Sequence, residues 1–174
     1  HIIINRGTDD GVQKNMTVIT PDGLVGNIHE AYASYSEVEL ITDPRSAVGS
    51  IVQRADSRVA GIVNGSADST SAINMTNIPQ NANIVEGDTI ITSGFGGIYP
   101  KGIPIGSVAA IKNDSGGLLQ YATLYPCVDF QKLENVAVII NHREVPQPAA
   151  TPVPTAPAQA SAQTPAQPTT GDTK

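Results

Sequence analysis

The sequence predicts an all-β chain, and three observations carry that expectation. Short runs rich in Val, Ile and Thr recur along most of its length. Clusters of Gly, Pro, Asn and Asp separate them, each favouring a turn for its own steric or hydrogen-bonding reason. Apolar residues at helical spacing never persist beyond about two turns. The runs amount to about eleven short strands, which fits two small related β-barrel domains followed by a disordered Pro/Ala/Thr-rich tail.

The elements follow in order. The chain opens in an apolar strand, His1–Asn5, without an initiator Met, so it is expected to be a fragment or a processed form. Asn5–Met16 (NRGTDDGVQKNM) is turn-rich. Met16–Thr20 is a strand, and Pro21-Asp22-Gly23 turns it back into Leu24–Ile28, with Pro presetting φ and Gly taking φ > 0. Glu37–Thr42 alternates charged and apolar residues, as a half-exposed strand does. After Asp43-Pro44-Arg45-Ser46 come strands over Ala47–Gln53 and Arg58–Val63, then a polar loop over Asn64–Thr70. Ala72–Ile78, Asp88–Thr92, Ile105–Ile111, Leu118–Tyr125 and Val136–Ile140 complete the set. Asp129–Asn135 (DFQKLEN) is the helical candidate, about two turns long. Residues 1–60 are assigned to the first barrel and 61–145 to the second, and the last strand, 136–140, is placed to return to the first. Residues 146–174 hold most of the 13 prolines and too little apolar surface to offset the entropy of ordering.

An internal repeat organises the chain. Val12–Thr20 (VQKNMTVIT) aligns with Ile84–Thr92 (IVEGDTIIT) at a spacing of 72, and Leu24–Ile28 (LVGNI) with Pro104–Val108 (PIGSV) at a spacing of 80. The second copy therefore carries eight extra residues, and they fall in Thr92–Gly106, TSGFGGIYPKGIPIG, where the first copy has a plain Pro-Asp-Gly turn. The glycines of this loop let backbone turn or approach where a Cβ would clash, and Pro100 and Pro104 stiffen its exit. Insertions on a duplicated scaffold sit on the surface, where function concentrates. Phe95, Ile98 and Tyr99 either form an exposed apolar contact, as interface cores favour, or plug the end of the second barrel. Lys101 beside them either orients a partner's carboxylate or is simply solvated.

Composition excludes several classes. The net charge is −6 with only 10 Lys and Arg and no basic cluster, so nucleic acid and anionic lipid surfaces have no electrostatic footprint here. No run approaches the ~20 apolar residues that span a bilayer, so any membrane anchor is expected upstream of His1. The single Cys127 forms no internal disulfide, and its apolar neighbours Leu124–Val128 predict a buried thiol.

Catalytic and metal readings are weak. Asp114-Ser115-Gly116-Gly117 resembles the nucleophile loop of chymotrypsin-like proteases, which are also double barrels, and His29 with Asp43 or Asp56 are the triad partners in chain order. Against this, Asn113 stands where a Gly is expected, the chain is short for that family, and NDSGG is what a hairpin turn needs. His1, His29 and His142 stand apart, no acidic run has calcium-loop spacing, and the loop glycines do not form a phosphate cradle, so no metal or cofactor is expected.

TSGFGGIYPKGIPIG resembles the signature loop of the bacterial rod-shape-determining MreC family, in its extracytoplasmic region. Asp22-Gly23-Leu24-Val25-Gly26 and Leu40-Ile41-Thr42-Asp43-Pro44-Arg45-Ser46 agree, in the family's order, and the resemblance covers roughly residues 2–141. It implies a non-catalytic pair of barrels on the outer side of the cytoplasmic membrane, anchored upstream, that organises and activates peptidoglycan synthases for cell elongation. It further implies the elongation-specific class B penicillin-binding protein, MreD, RodA and MreB as partners, together with self-association. The alternative is an adaptor of the membrane-fusion type, for which Val85–Asp88 is the similar segment.

Overall fold

The computed structural model describes residues 1–66, 72–113 and 118–140. The expected tail, His142 and the Asp114–Gly117 turn lie outside the described residues. Among the described residues there are eleven strands: β1 (Ile2–Ile4), β2 (Thr17–Thr20), β3 (Gly23–Ala31), β4 (Ser36–Leu40), β5 (Val48–Val52), β6 (Ala60–Gly65), β7 (Ile73–Pro79), β8 (Thr89–Thr92), β9 (Pro104–Asn113), β10 (Leu119–Pro126) and β11 (Ala137–Ile139). They form an open antiparallel sheet in the order β1-β4-β3-β2-β11 and a closed antiparallel barrel in the order β10-β7-β6-β5-β8-β9. Period-2 alternation is clear on β5 and β10, whereas Gly23–Ile28 of β3 is buried throughout. On β5, Val48, Ser50 and Val52 are buried, while Gly49 and Ile51 lie on the outer face.

Strand membership departs from the 1–60 and 61–145 division. β5 belongs to the barrel, with β6 on one side and β8 on the other, so the chain crosses between sheets at the turn after β4. Val48 and Val52 are buried with Ile73, Met75 and Ile90 in the barrel core, which is what holds β5 there. β11 pairs with β2, Val138 opposite Val18. The expected helix over Asp129–Asn135 is a turn followed by irregular chain. Asp129 Oδ1 accepts from the Gln131 amide and the Lys132 N–H reaches the Asp129 carbonyl, while Phe130 packs on both cores and Leu133 on that of the open sheet. Anchoring these side chains to packed cores outweighs the modest helix propensity of so short a segment. Cys127 is exposed and Val128 takes the inward place, contrary to the expected buried thiol.

The repeat holds at the level of individual residue pairs. Thr17 faces Asn27 and Val18 faces Gly26, and the aligned Thr89 faces Ser107 and Ile90 faces Gly106. Both hairpins then shift register at the same step, between Val18 and Ile19 and between Ile90 and Ile91. The Asn15 amide bonds the Ile28 carbonyl at 2.8 Å, and the aligned Gly87 amide bonds the Val108 carbonyl at 2.8 Å. Both donors sit in the left-handed region, Asn15 at φ 67° and Gly87 at φ 88°. The likeness extends outward. Val38 of β4 joins Ile2 and Ile28, and Leu124 of β10 joins Ile73 and Val108. A Cβ at Gly26 would stand 1.9 Å from the Glu39 carbonyl oxygen, and one at Gly106 would stand 2.3 Å from that of Tyr125. One structural requirement thus fixes glycine twice.

Candidate partner-binding site

The extra residues of the second copy form a rigid loop between β8 and β9. Gly94, Gly96, Gly97 and Gly102 all take positive φ, between 72° and 96°, which only glycine adopts without strain. Thr92 pins the stem. Its hydroxyl donates to the Pro100 carbonyl and accepts from the Ile103 amide at 2.9 Å, and its carbonyl accepts from the Gly102 amide at 2.9 Å. The Ser93 amide bonds the Gly49 carbonyl at 2.9 Å, tying the loop to β5, and Ser93 Oγ accepts from the Phe95 amide at 3.2 Å.

The loop divides its side chains between two directions. Phe95 is 70% exposed, although its backbone is held. It lies over Gly49, where an added Cβ would come within 3.5 Å of the Phe95 Cβ. Gly49 pairs with Ile62 of β6, itself exposed, and Ile51 pairs with the half-buried Ile91 on the same outer face of the barrel. Phe95 therefore ends an apolar stripe that crosses three strands. Lys101 is exposed on the other side of the same turn, its Cβ 3.1 Å from where a Gly94 Cβ would be.

Ile98 and Tyr99 point the other way. The Ile98 carbonyl accepts a 2.8 Å bond from Thr17 Oγ1 of β2, and its side chain packs on the barrel core. Tyr99 is 5% exposed, and its hydroxyl donates to Asn27 Oδ1 of β3 at 2.9 Å. Burial pushes the Tyr99 phenol up to about 12, with Glu39 adding to the shift and the neighbouring Ser46 hydroxyl opposing it. These two residues clamp the barrel to the open sheet, so of the four predicted contact residues only Phe95 and Lys101 face solvent. Thr17 and Asn27, the receiving side of the clamp, were not among the sequence candidates. They form a buried cross-strand polar pair beside the buried Val18, Val25 and Ile28, and that pattern is the signal that marks them.

The residues weighed for catalysis are engaged elsewhere or lie outside view. His29 is exposed and its ring lies 5.5 Å from that of His1. Asp43 accepts from Arg45 Nε and from its terminal nitrogen, both at 3.2 Å, and this guanidinium holds the carboxyl below the usual carboxylate range. Asp56 is exposed in the β5–β6 connection, and Ser115 lies outside the described residues. His1, Glu39 and Asp43 bring ligand atoms within 4.8 Å of one another, but the Arg45 guanidinium stands 2.7 Å from His1 Nε2, a poor neighbour for a cation.

Comparison with known proteins is consistent. A family model described as the rod shape-determining protein MreC, barrel core, matches residues 1–140. The cell shape-determining protein MreC of Listeria monocytogenes is 35% identical over 138 residues, 78% of this chain and 46% of its own length. The chain spans about half the length of the curated relatives it matches, between 46% and 52% for three of them. The crystal structure of MreC from Pseudomonas aeruginosa superposes with a TM-score of 0.73 at 26% identity, covering 79% of this chain and 87% of that one. A Helicobacter pylori structure, described as a complex between penicillin-binding protein (PBP2) and MreC, matches in fold with a TM-score of 0.53 at 21% identity, over 65% of this chain and 69% of that one. With the family model matching 140 of its residues and solved members sharing its fold, the chain belongs to the MreC family of rod shape-determining proteins.

Proposed function

We propose that this chain is the non-catalytic scaffold part of the bacterial cell-elongation complex. It organises peptidoglycan synthases and favours their active state at the outer face of the cytoplasmic membrane. The observation that carries the reading is the held, exposed Phe95 at the end of the Ile62–Ile51–Ile91 stripe. Aromatic residues are enriched among those that dominate binding energy, and a backbone already held loses little entropy when a partner covers it. The partner is the elongation-specific class B penicillin-binding protein, a reading supported by the Helicobacter pylori structure in which MreC is found with a penicillin-binding protein (PBP2). MreD, RodA and, across the membrane, MreB are further members of the assembly. Self-association and an upstream membrane anchor belong to the same reading. Activation works by population shift: a bound scaffold stabilises one state of the synthase over another.

The test is binding of this chain to the ectodomain of that penicillin-binding protein. Phe95→Asp is expected to weaken binding at least about tenfold, the scale of a modest hot spot, with the melting temperature unchanged. Lys101→Glu is expected to slow association at low salt. Parent and Phe95→Asp chains that bind equally would move the contact off this loop. An absence of binding by the parent at tens of micromolar would sink the choice of partner.

A further inference from the structure

One face of the barrel differs in charge from the rest of the chain. The molecule holds 16 Asp and Glu and a net charge of −6. None of those carboxylates falls in β7, β10 or β9, which neighbour one another in that order, and Lys112 is the only charged residue in the three strands. β10 is the middle strand, and its side chains alternate. Gln120, Ala122 and Leu124 are buried, while Leu119, Tyr121, Thr123 and Tyr125 turn outward, Tyr125 being 70% exposed.

Strand register turns this row into a shallow trough. Tyr121 and Tyr125 lie four residues apart, about 13 Å along a strand, with the small Thr123 between them. Thr123 faces Asn74 of β7 on one side and Ala110 of β9 on the other, so short side chains floor the space between the two phenol rings. Tyr125 faces Ser107, and Tyr121 faces Lys112. Opposite Tyr121, β7 carries one extra residue between Met75 and Ile78. That bulge leaves Asn77 exposed with φ 61°, and bulges re-aim side chains in this way beside functional sites. Among the described residues, no hydrogen bond engages the side chains of Asn74, Asn77, Thr123 or Ser107.

The chemistry of the trough selects its occupant. A nucleic acid or an anionic lipid surface needs several cations, and one lysine does not supply them. A protein interface has a contiguous apolar core, whereas here the two rings are separated by hydroxyl and amide groups. What matches is an extended ligand of low charge, with flat apolar faces and many hydrogen-bonding groups along its edges. A pyranose ring has that form: its C–H face lies on an aromatic ring, and its substituents reach sideways. An acetamido substituent both donates and accepts, as the Asn amide does. We propose that the outer face of β10 binds a linear glycan of N-acetylated amino sugars. One sugar ring stacks on Tyr121 and another on Tyr125, and an acetamido group between them pairs with Asn74. Lys112 meets a carboxylate where the glycan bears one. This face is separate from the Phe95 stripe, which ends at Ile62 of β6.

Titration of the 174-residue chain with chitohexaose, a β-linked oligomer of N-acetylglucosamine, tests this by amide NMR. The expected result is a saturable set of shifts confined to β7, β9 and β10. Cellohexaose has the same linkage without acetamido groups and is expected to bind about tenfold more weakly, the scale of one lost hydrogen bond. Tyr125→Ala is expected to weaken chitohexaose binding by at least about tenfold, while Tyr125→Phe keeps the ring and most of the affinity. Both variants should melt with the parent, because Tyr125 lies outside the core. The shifts on the unmodified chain locate the site whatever a variant does to folding. No saturable shift at several millimolar chitohexaose, shifts centred on Phe95 or on the open sheet, or equal binding by a folded Tyr125→Ala chain would each overturn the proposal. Equal binding of the two sugars would overturn the N-acetylated class. No synthase is present, so failure here is separable from failure of the scaffold reading.

Discussion

Tyr99 shows how one side chain can be misread from its neighbours in sequence. The same run that exposes Phe95 buries Tyr99, because the loop reverses at Gly96 and Gly97 and turns toward a hairpin 72 residues away. That distance in sequence is why the partner Asn27 is invisible locally. Tyr99→Phe leaves Asn27 Oδ1 buried without its donor, and a loss of about 1–3 kcal/mol is expected in urea unfolding. Raising the pH supplies a second readout. The folded chain favours the neutral phenol, with a titration near about 12, whereas an unfolded tyrosine ionises near about 10. The stabilisation is complete below about pH 10 and is lost as pH climbs toward 12, since the unfolded chain gives up its proton first. Tyr99→Phe is expected to flatten that part of the stability profile, which unfolding series at pH 8, 10 and 11 would reveal (values chosen around the ordinary tyrosine range, about 10).

At the scale of elements, the strands were legible, but the sheet that β5 joins was not. Alternation and turn chemistry act over a few residues, so each strand is written where it lies. Which sheet β5 joins depends on β6 and β8, and nothing within Val48–Val52 records that choice. The Asp129–Asn135 segment failed for a related reason: Phe130 is shared by two cores, and a helix would have turned it away from one of them. The glycine-rich loop was found because a duplicated hairpin supplied its own control. The first copy turns with Pro-Asp-Gly, and the second spans the same step with eight more residues. Replacing Gly94–Lys101 by that shorter turn is expected to leave the barrel ladder intact and remove the clamp on β2 and β3. Calorimetry should then resolve two transitions where the parent has one, because the Thr17–Ile98 and Tyr99–Asn27 bonds that couple the two units are gone. A single sharp transition at the parent temperature would mean that the coupling runs through other contacts, such as Gly23 against Pro104.

At the scale of the whole molecule, the two units share a register but not a closure. The barrel fills the space between β5 and β7 with β6, while the open sheet leaves β1 and β11 apart. Fold class and family could be read from the chain, since they depend on patterns and on one specific loop. The open seam could not, because it lies between β1 and β11, which stand at opposite ends of the described chain and pair with β4 and β2 rather than with each other.

The order of strands in the two sheets has a consequence for how the chain is made. The barrel, β5 to β10, is one uninterrupted stretch, whereas the open sheet is begun by β1 to β4 and finished by β11. One unit is nested inside the other like a clause in parentheses. A polypeptide emerging N-terminus first presents all six barrel strands before the last strand of the outer unit exists, so the inner unit closes while the outer one waits. A fragment of residues 44–127 is therefore expected to give a cooperative melt and dispersed amide resonances by itself, whereas residues 1–127 should add little further protection over β2. Should the inner fragment collapse without cooperativity, the parenthesis must be closed before its contents can hold, and maturation would begin only when the final strand arrives.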